Sequence, residues 1–219
     1  MKKHLCPSPR AFTLIELLTI IAIIGILAAI IIPTVGRVRQ SARAAQCISH
    51  LRQLGTALNL FADENRGMYP IRYHDGTTRT NPDYDKTWMM QLASYIGIPE
   101  GRIGVALDET KNVGVLVCPA WRWPDLNPPA TERNQPYAIN TQIREPGGNA
   151  ALAYQRSAIA TPSKNFLVIE IDRNGETGGS ADVVRRHPGE RANYLFFDGH
   201  VESLQGMIPG SDPRFKLTN

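Results

Sequence analysis

Charge is what the start of this chain lacks. Between Phe12 and Val35 the only charged side chain is Glu16, and at about 1.5 Å per helical residue that run extends about 36 Å, enough to cross a hydrocarbon core of roughly 30 Å. The shortage of charge therefore excludes an ordinary soluble helix and indicates a membrane helix. A cleavable secretory signal is a poor fit, because Ala28 and Ala29 are followed by three isoleucines and Pro33 rather than by a released domain. Aromatic residues are few, at 7%, yet charge is mixed, so the remainder should fold. Neither HExxH, CxxC, GxSxG nor a phosphate loop occurs, which argues against an enzyme. No repeat of 20 to 50 residues marks a solenoid.

What is present begins with a helical pattern that outlasts the apolar run. Pro33 should bend the helix without ending it. Beyond Arg37, Arg39 and Arg43, residues Cys47, Leu51, Leu54, Leu58 and Phe61 recur on one face. Asn65-Arg66-Gly67 and Pro70 then supply a stop. The pattern predicts one helix from Phe12 to near Asn65, apolar all round in its first half and on one face in its second. Downstream, Trp88 to Ile96 reads as a short helix ending near Gly97 and Pro99, and Val113 to Val117 as a short β-branched run. Residues 120–136, with four prolines and two tryptophans, read as an irregular loop. Residues 165–172 form the clearest strand. Ala192 to Leu204 reads as a hairpin whose Asp198-Gly199 pair suits a type I′ turn.

The segment Ala11-Phe12-Thr13-Leu14-Ile15-Glu16 resembles the processing site of type IV prepilins and of the pseudopilins of type II secretion. The resemblance implies that a membrane-bound aspartic peptidase cuts between Ala11 and Phe12 and that Phe12 is N-methylated. Glu16, the fifth residue of the mature chain, would then pair with the terminal amine of a neighbouring subunit. Ala11 stands where the family usually has glycine. The alternative for Glu16 is a place at headgroup depth, favoured by the positive end of the helix dipole. Further along, Cys47 to Leu54, Cys118-Pro119 and the stretch from His187 to Asp198-Gly199 look like a large pseudopilin-related group with a "His, nine residues, Asp-Gly" motif. Here ten residues intervene, and the extra one falls in the Pro188 to Arg191 turn.

The expected architecture is α+β and pilin-like: a long N-terminal helix packed on a small antiparallel sheet with long loops. It divides into a leader (1–11), a transmembrane or filament-core helix (12–36), an amphipathic continuation (37–66) and a globular domain (67–219). Removing the leader's Lys2, Lys3 and Arg10 lowers the net charge of +4 by three, to +1, so nucleic-acid binding has no electrostatic support. The leader also removes Cys6, leaving Cys47 and Cys118 either bridged, as an exported domain favours, or as two buried thiols. The expected function is that of a pseudopilin or minor pilin that polymerises and does not catalyse. Its partners would be the prepilin peptidase, other pilin subunits and the secretion or pilus assembly machinery. It would be a single-pass inner-membrane protein with a periplasmic C-terminal domain, assembled into a filament. Alternatives are a major type IV pilin and a membrane-anchored extracytoplasmic binding module. No cofactor is required. If a metal binds, Asp172, Asp182 and Asp198 offer loop oxygens suited to calcium, with His187 and His200 nearby in sequence.

Overall fold

A computed structural model describes residues 13–70, 88–98, 114–120, 136–140, 155–171, 177–178, 183–206, 208–209 and 211–215. The chain separates into two compact units divided between Arg39 and Gln40. Helix α1, Leu14–Glu64, is continuous through Pro33 and supplies the backbone of the first unit and the spine of the second. In the first unit the large apolar side chains from Leu14 to Val35 are exposed, Leu14 at 82% and Ile32 at 72%. Within this run Thr19 Oγ1 donates to Glu16 O at 2.9 Å and Thr34 Oγ1 donates to Ile31 O at 2.8 Å. Neither hydroxyl would bring an unsatisfied donor into hydrocarbon.

In the second unit α1 buries one stripe, formed by Cys47, Leu51, Leu54, Gly55, Ala57, Leu58 and Ala62. Gly55 permits close approach: a Cβ there would lie 2.9 Å from Leu195 Cδ1. The helix ends where the sequence signals it. Gly67 N donates to Ala62 O at 2.8 Å, with Arg66 at φ 58° in the left-handed region. A short helix α2, Trp88–Gln91, follows, and a 3-10 turn at Ser94–Ile96 ends on a left-handed Gly97. The β-branched run near Val115 is not a strand. Gly114–Leu116 form a 3-10 turn, with Gly114 at φ 54°.

Strands β1 (Tyr137–Asn140), β2 (Phe166–Glu170), β3 (Thr177–Gly178), β4 (Arg191–Phe196) and β5 (Val201–Gln205) form one sheet in the order β3-β1-β2-β4-β5. The four longer strands are antiparallel to their neighbours as expected, but β3 adds a two-residue parallel edge beside Ile139 and Asn140. The helix-side core takes Tyr137, Ile139, Val168 and Leu195 from the sheet. The opposite face sends Ala138, Ile169, Ala192, Tyr194 and Phe196 into a second apolar cluster closed by Ile208 and Phe215. A bulge between Phe166 and Val168 puts Leu167 and Val168 on the same side. The sheet is thus buried on both faces, and β2 is buried at all five positions.

The β4–β5 connection departs from the expected type I′ turn. Gly199 N donates to Phe196 O at 3.0 Å and Phe196 N to His200 O at 2.9 Å. Gly199 has φ 90°, whereas Asp198 is absent from the positive-φ residues. This is a three-residue loop with glycine at the left-handed bulge position. Asp198 keeps an ordinary φ because its Oδ1 accepts from the backbone N–H of His200 at 3.1 Å and pairs with the imidazole Nδ1 at 2.6 Å.

Candidate functional site

Two groups of residues carry chemistry, one in each unit. At the start of α1, Thr13 is the residue before the helix. Its backbone N–H and its hydroxyl both donate to Glu16 Oε2, at 2.9 and 2.7 Å, while its Oγ1 accepts from the backbone N–H of Glu16 at 3.3 Å. This reciprocal arrangement is a capping box, T-x-x-E, which satisfies donors that the first helical turn would otherwise leave open. The carboxylate is held at the helix N-terminus, where the dipole favours negative charge. Immediately after it comes the exposed apolar surface of residues 14–35, about 33 Å long. Among the described residues α1 alone is long and apolar enough to cross a membrane.

The second group is buried where α1 meets the sheet. Cys47 on α1 and Cys118 in the loop after the 3-10 turn are joined by a disulfide, with Cα atoms 4.9 Å apart. One helical turn beyond Cys47, His50 Nδ1 lies 2.8 Å from Val117 O and ties the same loop to α1 a second time. Glu170 ends β2 on the helix side of the sheet and is fully buried. His187 Nε2 sits 2.8 and 2.9 Å from its two oxygens, and Asn193 adds its backbone N–H at 2.9 Å and Nδ2 at 3.3 Å. With two acceptors facing it, Nε2 carries the ring proton. The same nitrogen is 4.0 Å from Cys118 Sγ. Tyr137, paired with Glu170 across β1 and β2, has its hydroxyl pushed well above its usual range by burial and by the nearby carboxylate. A polar cavity of about 200 Å³ bounded by Gln40, Arg43, Arg186 and His187 lies beside the cluster.

Glu16, Cys47, Cys118, His187, Asp198 and Gly199 lie in described regions; Ala11, Phe12, Asp172 and Asp182 lie outside them. His187 precedes β4 and Asp198 follows it, so the strand of six residues, about 20 Å, holds them apart. The residues of the "His, Asp-Gly" stretch therefore do not share one site. They bracket one strand: His187 opens the turn that leads into β4, with Gly189 and Glu190 both at positive φ, and Gly199 closes the hairpin after it. Sequence reading missed Glu170. Its signal was a carboxylate inside an otherwise apolar strand, which requires a buried partner.

Residues 7–32 match the family described as the prokaryotic N-terminal methylation motif. The chain carries a prepilin-type N-terminus. That match covers the capping box and most of the apolar run, so the polar cap and the apolar helix behind it are parts of one prepilin-type signal. Residues 36–100 match a second family, described as a protein of unknown function (DUF1559), which covers the amphipathic part of α1 and the segment through α2. No curated protein and no solved structure matches the chain. The prepilin-type motif implies processing by a peptidase and assembly with pilin subunits, and the long apolar helix is consistent with anchoring in a membrane.

Proposed function

We propose that this chain is a pseudopilin or minor pilin of a type II secretion-like or type IV pilus-like system, acting by polymerisation and not by catalysis. The observation that carries the reading is the methylation-motif match over 7–32 on a helix whose apolar side chains are uncovered. Exposed apolar surface of this extent is unfavourable in water, and a bilayer before assembly and a bundle of like helices afterwards both cover it. Cleavage between Ala11 and Phe12 would free an amine one residue before Thr13. Glu16, held by Thr13, is then placed to receive the amine of a neighbouring subunit. The Cys47–Cys118 disulfide fits an extracytoplasmic domain, which supports a cytoplasmic leader and a periplasmic domain.

The test is the mass and N-terminal residue of the protein taken from cells. A chain starting at methylated Phe12 is expected, and one starting at Met1 or beyond Pro33 would overturn the proposal. In the same cells Glu16→Ala should leave processing intact while filament incorporation falls; normal incorporation would contradict the docking role.

A further inference from the structure

We propose that, when its disulfide is open, the cluster of Cys47, Cys118, His187 and Glu170 is a tetrahedral zinc site. One ligand atom from each of the four residues already lies within 4.8 Å of all the others, and all four residues are buried. A zinc ion bound at about 2.3 Å to sulfur and about 2.0–2.2 Å to nitrogen and oxygen needs ligand separations of about 3.3–3.8 Å. Cys118 Sγ is 4.0 Å from His187 Nε2, and that nitrogen is 2.8 Å from Glu170 Oε2. Side-chain adjustments of an ångström or less, with the sulfurs parted, make room for the ion.

The donor set selects the metal. Two thiolates, an imidazole and a carboxylate suit zinc, and oxygen-seeking calcium or magnesium would not take the sulfurs. The outer contacts are also in place, because the Asn193 backbone N–H and Nδ2 orient the carboxylate from behind. A reduced site without metal would bury two thiols beside a carboxylate that His187 and Asn193 hydrogen-bond. The cation neutralises both thiolates and keeps α1 tied to the loop of Cys118 and to β2. Disulfide and zinc are thus two mutually exclusive ways of closing the same junction, whether or not the chain polymerises.

The full-length chain in detergent micelles is reduced with a phosphine. Water supplies the oxygen of the phosphine oxide, and the S–S bond takes up the two electrons and two protons to give two thiols. Zinc then displaces both thiol protons, and the His187 ring proton passes from Nε2 to Nδ1, which has no hydrogen-bond partner among the described residues, so that the Nε2 lone pair faces the metal. Equilibrium dialysis should find one zinc per reduced chain and none per oxidised chain, and cobalt in its place should show thiolate charge-transfer absorption. Uptake should vanish in the Cys47→Ser, Cys118→Ser double variant, and Asn193→Ala should weaken it by roughly 10-fold to 100-fold. If the reduced chain loses its fold, circular dichroism on adding zinc decides: a restored spectrum supports the site, and a chain that stays unfolded overturns it. Lack of one-to-one uptake by a folded reduced chain, or undiminished uptake by the double-serine variant, also overturns it.

Discussion

Glu170 and Glu16 are carboxylates set among apolar neighbours, and each is held by a different device. Glu16 is held locally, by a threonine three residues earlier, so its position needs nothing but the helix end itself. Glu170 is held by residues 17 and 23 positions away, and it is satisfied only in the folded sheet. Removing His187 would leave a fully buried carboxylate short of its cationic or proton-donating partner. His187→Ala is therefore expected to destabilise the domain by about 3–5 kcal/mol, as breaking a buried pair from one side typically does. Urea unfolding followed by tryptophan fluorescence reads this directly, since Trp88 lies in the helix-side core. A loss below about 1 kcal/mol would mean that water or another group replaces the imidazole.

At the scale of elements, the sheet is covered twice, by α1 on one face and by the C-terminal segment on the other. The 3-10 turn Pro213–Phe215 seats Phe215 edge-on against Phe166 at 5.0 Å, and Arg214 lays its guanidinium 5.1 Å over the same ring. Asp212 fixes this turn by accepting from the Arg214 backbone N–H at 2.9 Å and from its guanidinium at 2.8 and 2.9 Å. The side-chain hydrogen bonds from Arg214 hold the Asp212 carboxyl below its usual 3.8, with the backbone bond and the Arg214 charge adding to them against the opposing effect of burial. A carboxylate lowered in the folded state stabilises the fold fully above its unfolded pKa. That contribution is lost as pH falls through the folded value. Asp212→Asn should lower stability at pH 7 and flatten its fall below about pH 4. The check is a series of thermal midpoints against pH, and parallel acid limbs for both proteins would count against the turn's role.

For the molecule as a whole, the disulfide ties α1 to the loop of Cys118 covalently across a sequence separation of 71 residues. On the chain-entropy account such a loop contributes about 4 kcal/mol by restricting the unfolded chain. The Cys47→Ser, Cys118→Ser variant is expected to lose stability of that order in the absence of metal, measured by denaturant midpoint. An unchanged midpoint would show that His50, the α1 stripe and the sheet hold the junction unaided. Both cysteines lie in the second unit, outside the first. The first unit's apolar surface is consistent with anchoring in a membrane.

The sequence by itself determined the helix, its stop at Asn65 to Gly67, strands β2, β4 and β5, and the prepilin-type cap. Each of those rests on neighbours a few residues apart: apolar periodicity, a left-handed stop, a threonine followed by a glutamate. Tertiary structure alone decided the rest. The second apolar layer depends on Phe215 returning to Phe166, and the parallel edge on β3 reaching β1. The union of Cys47, Cys118, Glu170 and His187 was decided the same way, because no local pattern records which distant side chains will be buried against one carboxylate. Short-range torsional and hydrophobic preferences are written along the chain, whereas the neutralisation of a buried charge is settled only when remote segments meet.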